Sequence, residues 1–154
     1  MSVRVDAETL RRIPIFQNCD PVPLQILAFS SERTTVGINE QLLLQGRASD
    51  SAYLVLNGSL ALYSNGVLIG KAEPGSFLGE TAMIGSTLSS LTAEAEVLSY
   101  VARITRATFS KVALEYPEFG ETVLNALAQR VAGSLSELDI VRDMFINAKS
   151  FSEL

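Results

Sequence analysis

Hydrophobic and polar positions change rhythm twice along the chain. Over residues 1–30 the apolar residues group at helical spacing. Asp6 is placed to cap a helix running through Arg12, with Glu8 or Thr9 in its first turn, until Pro14 interrupts it. Pro21 and Pro23 open a second short helix, PVPLQILAF, apolar at Leu24, Ile26, Leu27 and Phe29. From Arg33 to about Arg106 the rhythm shortens to strand-like runs broken by single glycines. TTV stops at Gly37, QLLLQ at Gly46, SAYLVLN at Gly58 and SLALYS at Asn65-Gly66. An Asn-Gly pair between alternating runs predicts a hairpin, because both residues tolerate positive φ. VLIGKAE follows, then a turn at Pro74-Gly75, and EVLSYVARI makes a last strand with Val97, Tyr100, Ala102 and Ile104. Gly37, Gly46, Gly58 and Gly75 read as turn positions needing positive φ. Short strands at even spacing imply a small antiparallel sandwich or barrel.

Beyond Ile104 the helical rhythm returns. Thr105 or Thr108 starts a short helix, ATFSKVALEY, which ends before Pro117. A long helix is predicted over residues 117–147. Its apolar positions Leu124, Leu127, Val131, Leu138, Val141 and Phe145 alternate three and four apart, with Ser134 filling one slot. Leu135 and Met144 widen this heptad stripe. Gly120 and Gly133 each weaken the helix by about 1 kcal/mol relative to alanine. Two readings of the stripe stay open: the seam of a homodimer, or a helix covering its own domain. The segments are therefore a helical entry (1–30), a β-region (31–106), a C-terminal helical pair (107–147) and a frayed tail (148–154).

Composition narrows the function. The 154 residues are 47% hydrophobic, enough for an ordinary single-domain core. The net charge of −5 makes nucleic acid and anionic membrane poor default partners. The sequence has one cysteine, Cys19, and no histidine. These counts exclude an intrachain disulfide, the common zinc sites and the Cys–His and Ser–His nucleophile systems. No apolar run approaches the length of a membrane span, and the start, MSVRVDAETLRR, is too charged for a signal peptide. A cytoplasmic setting is expected.

Three segments carry a resemblance. LRRIPIF (10–16), QGRASDSAYLVLNGSLALY (45–63) and GSFLGE (75–80) resemble the helical entry, the strand–turn–strand and the start of the phosphate-binding cassette in cyclic-nucleotide-binding domains. The match runs from Leu10 to about Met144. The resemblance implies a mainly β fold with flanking helices. It is an antiparallel, double-stranded jelly-roll-like β-roll with N-terminal helices and a long C-terminal helix.

Within the cassette (75–95), the family's Gly-Glu pair falls on Gly79-Glu80. The glycine lets backbone approach the ligand, and the glutamate accepts from the ribose 2′-hydroxyl. The short helix that follows offers N–H groups to an anion. The resemblance implies ligand contacts from Phe77, Leu78, Gly79, Glu80, Thr81, Ala82, Ser89, Ser90 and Thr92. Thr92 stands where the family has a small polar residue facing the base. The family's phosphate-gripping arginine falls on Ser89, with Leu88 in place of the usual proline. No lysine or arginine lies between Lys71 and Arg103. That loss costs a few kcal/mol, or about a hundredfold in affinity. Hydroxyls at Ser86, Thr87, Ser89, Ser90 and Thr92 are weaker donors that suit an uncharged nucleoside equally well. Arg47 and Arg130 are distant cations that the fold could bring in.

Two functions follow. One is a non-enzymatic regulatory module that binds a cyclic nucleotide (cAMP or cGMP) weakly, or a nucleoside, without any required cofactor or metal. Its occupancy would be signalled through the C-terminal helices. The other is a degenerate, ligand-free domain serving as a dimerisation or protein-docking scaffold. A homodimer through the long helix and an unidentified protein partner are expected. A DNA-binding role is not, because no recognition helix follows the stripe.

Overall fold

The computed structural model describes residues 5–132. The C-terminal half of the predicted long helix, with Leu138, Val141 and Phe145, and the predicted tail lie outside them.

The entry forms as its capping chemistry dictates. Asp6 accepts from the Thr9 amide at 2.9 Å and starts α1 (Ala7–Arg11). Pro14 leads a 3-10 turn (Pro14–Phe16), and Pro21 opens α2 (Pro21–Ser30). In α2, Leu24 and Leu27 are fully buried, whereas Phe29 is 92% exposed and contributes nothing to the core.

The β-region contains ten strands: β1 (Glu32–Val36), β2 (Gln41–Leu43), β3 (Ala48–Ser49), β4 (Ser51–Asn57), β5 (Leu60–Ser64), β6 (Val67–Ala72), β7 (Phe77–Leu78), β8 (Thr87–Leu88), β9 (Thr92–Ala95) and β10 (Ser99–Thr105). They make two four-stranded antiparallel sheets, ordered β1-β10-β4-β7 and β2-β9-β5-β6, and a small β3-β8 ribbon. The β5–β6 hairpin turns on Asn65 and Gly66, both at positive φ, and pairs Ser64 with Val67. This is the antiparallel β-roll anticipated from the sequence.

Two cores share the β1-β10-β4-β7 sheet. Val55 and Val101 face the roll interior with Val36, Leu43, Leu60 and Ala93. Their neighbours Leu54, Ala102 and Ile104 face the helices with Leu10, Phe16, Leu24 and Leu127. Strand alternation sends successive side chains to opposite faces, so these strands read as nearly continuous apolar runs. Val97 differs from expectation. It lies in the connection between β9 and β10, before the strand's first buried residue, Ser99, and is 47% exposed.

Glycine positions also separate. Gly46, Gly58 and Gly75 hold φ values of +83°, +97° and +98°. Gly37 does not; Asn39 takes the left-handed position in that turn, at φ +70°. A Cβ at Gly37 would instead stand 2.8 Å from the Glu40 carboxylate.

Thr105 caps α3 (Arg106–Glu115), accepting from the Thr108 amide at 3.1 Å, and α4 (Pro117–Ala132) follows. Gly120 is a packing device. A Cβ there would sit 2.9 Å from Cβ of Ala113, so glycine lets α4 close on α3. The buried face of α4 is Phe119, Val123 and Leu127, spaced by four. Leu127 has no exposed surface left, so this member of the heptad stripe is committed to its own domain; Leu124 is half-buried.

Candidate functional site

The cassette is set by a left-handed glycine. Gly79 has φ +70°, and a Cβ there would lie 3.2 Å from the Ser51 carbonyl oxygen. The backbone can make this turn out of β7 only as glycine without strain. A single 3-10 turn follows (Glu80–Met83), closed by Ala82 N–H to the Gly79 carbonyl at 3.0 Å. Ala82 and Met83 are buried and anchor it from below.

Around this turn lies a cleft of about 290 Å³, at the small end of ligand sites. Eight of the nine residues anticipated from the sequence line it: Phe77, Leu78, Gly79, Glu80, Thr81, Ala82, Ser89 and Ser90. Thr92 does not. Its hydroxyl accepts the Gln45 amide at 3.0 Å and pins the loop after β2. Ser89, at the position of the missing arginine, donates to the Leu91 carbonyl at 2.6 Å and so holds its own loop. The Thr81 and Thr87 hydroxyls bond each other at 3.2 Å.

The charge in the cleft comes from two distant segments. Arg130 Nη1, near the end of α4, donates to Glu80 Oε2 at 3.1 Å. Glu80 is the more enclosed partner, 17% exposed against 49% for Arg130. Burial raises the Glu80 carboxyl above its ordinary value, and the Arg130 charge opposes that shift. Among the described residues Arg130 is the one cation lining this cleft. Arg47 lines a second, wider cleft of about 600 Å³ with Arg106. The two clefts share Leu43, Ser49 and Ser89 as a wall.

Arg106 is the support that sequence reading missed. It donates through Nε to the Ala82 carbonyl at 2.9 Å and through Nη2 to the Ser49 carbonyl at 3.0 Å. It thereby clamps the cassette turn to β3. The available signal was a cation in the first turn of α3, where the helix dipole disfavours positive charge unless a partner holds it. Arg103 makes a separate structural knot, with Asp50 at 3.1 Å and Glu32 at 3.3 Å.

A two-sheet β-roll with a Gly-Glu cassette turn and a helix closing over it matches a known pattern. The family model described as the cyclic nucleotide-binding domain matches residues 34–116, more than half of the chain. The chain belongs to the cyclic nucleotide-binding domain family. A solved Brucella abortus structure, a cyclic nucleotide-binding-like protein, is 32% identical. It covers 70% of this chain and 96% of its own, with a TM-score of 0.65. Among curated proteins, the Pycsar effector protein BcPycTIR of Burkholderia cepacia is 28% identical over 80% of this chain. The NTE family protein Rv2565 of Mycobacterium tuberculosis is 30% identical over 84% of this chain. The chain spans 38% and 22% of the length of these two relatives. Cyclic nucleotide-binding domains are in general regulatory, non-catalytic modules. Among the described residues no helix is long and apolar enough to cross a membrane, and no cluster of acidic, histidine or cysteine residues could hold a metal ion.

Proposed function

We propose that this chain is a non-enzymatic regulatory module that takes a small nucleotide-type ligand, cyclic AMP or cyclic GMP or a related nucleoside, in the cassette cleft. Occupancy is passed on through α3 and α4. The observation that carries this reading is the Glu80–Arg130 contact. It makes the cassette and α4 two walls of one cleft, so a ligand seated there has different contacts when α4 moves. A ligand shifts such an equilibrium only through that differential contact. The donor set fits a nucleotide: one carboxylate for a ribose hydroxyl, one cation for an anion and an apolar floor of Leu43 and Leu78. It does not favour catalysis, for among the described residues a single carboxylate and no paired base line the cleft. The name of the Burkholderia relative, an effector protein, agrees with a regulatory role. Dimerisation through the remaining heptad stripe, and delivery of the signal to a protein partner, are parts of the same proposal.

Calorimetric titration with the four 3′,5′-cyclic ribonucleotides, then with adenosine and guanosine, tests this. Micromolar binding of any of them supports the module. No heat from all of them, with circular dichroism intact, would establish the ligand-free scaffold instead. That alternative draws its support from Ser89, which stands at the position of the family's arginine and whose hydroxyl donates to the Leu91 carbonyl.

A further inference from the structure

We infer that Arg130 supplies the cation for the ligand's anionic group from α4, with Glu80 holding it in place. This rests on the reading of the cleft given above. The cassette segment has no cation of its own between Lys71 and Arg103. An anion in the cleft would face the Glu80 carboxylate, so its entry requires a positive group within reach. Arg130 is that group among the described residues. A guanidinium carries five N–H donors in a rigid fork. One nitrogen of Arg130 is occupied by Glu80, and no further acceptor among the described residues takes its other donors. The pair therefore presents a half-exposed fork that is already oriented. Glu80 uses Oε2 for Arg130, which leaves Oε1 for a ribose hydroxyl.

Two consequences separate this arrangement from a cassette arginine. The anion contact sits on the helix that carries the signal, so a charged ligand ties α4 to the β-roll directly. A neutral nucleoside fills the same cleft but makes no such tie. Selectivity for charged over uncharged ligand should then reside in α4. Arg47, on the far side of the shared wall, should have no part in it.

The test is calorimetric titration of wild type, Arg130→Gln, Arg130→Lys and Arg47→Gln with the four 3′,5′-cyclic ribonucleotides and with the matched nucleosides. Circular dichroism and thermal melts check each fold. Losing a charged hydrogen bond predicts about a ten- to hundredfold drop in cyclic nucleotide affinity for Arg130→Gln. Nucleoside affinity and the Arg47→Gln variant should stay at wild-type values. Arg130→Lys keeps the charge but not the fork, so its affinity should fall between the two; it carries the test if Arg130→Gln is unfolded. Equal cyclic nucleotide affinity in wild type and Arg130→Gln would overturn the inference and leave the module intact. So would nucleoside binding by wild type without cyclic nucleotide binding, or a loss confined to Arg47→Gln. Absence of binding by every ligand to wild type would overturn both.

Discussion

Leu127→Ala decides whether α4 belongs to its own domain or to a partner. In the folded chain Leu127 has 0% exposure and packs with Phe119 and Val123. Truncation to alanine removes about three methylene equivalents, about 2.4 kcal/mol of transfer free energy at ~0.8 kcal/mol each. The cavity left between α4 and the helical entry brings the loss to about 3–4 kcal/mol, inside the usual range for buried leucine. For a domain of this size that is a fall in Tm of roughly 10 °C. The assay is thermal and urea unfolding at two protein concentrations tenfold apart, with light scattering at each. A residue of the domain's own core produces the same loss at both concentrations. A seam residue produces a loss that depends on concentration, because association adds stability by mass action. Leu124→Ala is the companion variant; half-buried, it should cost less than about 1 kcal/mol in the monomer. A loss under about 1 kcal/mol for Leu127→Ala, or one that appears only where light scattering shows dimer, would refute the packing argument and return Leu127 to the heptad seam.

Other expectations concern titrating groups. Burial, aided by the Asp20 charge, pushes the Cys19 thiol up from 9.0 to about 11, and the side chain is 4% exposed. Ellman's reagent should therefore label Cys19 in the native protein about a hundredfold more slowly than in urea; equal rates would show the entry helices to be open. The Glu80 carboxyl is raised above its ordinary 4.5, so the native state holds that proton more tightly than the unfolded chain. Native binding then exceeds unfolded binding just above pH 4.5, and stability contributed there falls as pH rises through the window. Asp50 is lowered below 3.8, chiefly by hydrogen bonds from Ser51 and Arg103, so its contribution is lost as pH falls below that value. Urea midpoints across acid pH should show Glu80→Gln flattening the upper window only and Asp50→Asn the lower only; a single variant removing both slopes would contradict the separation.

What could be read from the sequence follows the range of the interactions involved. Asp6, Thr105 and Asn65-Gly66 act on neighbours within three residues, and each does in the fold what its local chemistry requires. Gly79-Glu80 could be placed for the same reason, since the turn is made by one residue's φ and the next residue's position. The heptad stripe left Leu127 open between a seam and its own domain because two apolar faces overlap on one helix. Periodicity reports that a position is apolar and does not say which surface covers it. Phe119 and Val123 would have revealed the second face, four residues apart, but they fall outside the three–four alternation that drew the stripe. Thr92 shows the same limit of range. Its residue type suits a ligand, yet a backbone amide claims its hydroxyl, and that partner is 47 residues away.

The charge of the site was the least legible part, for a physical reason. Glu80 and Arg130 are 50 residues apart, and their contact exists because Gly120 lets α4 close on α3 while Leu127 pins it one turn before Arg130. Arg106 then fixes the other end of the cassette turn from the first residue of α3. Both arginines lie outside the cassette, on the two helices expected to carry a signal. A cassette that loses its own cation need not lose anion binding if the closing helix brings one. What changes is the coupling: the charge that holds the ligand is then the charge that holds the helix.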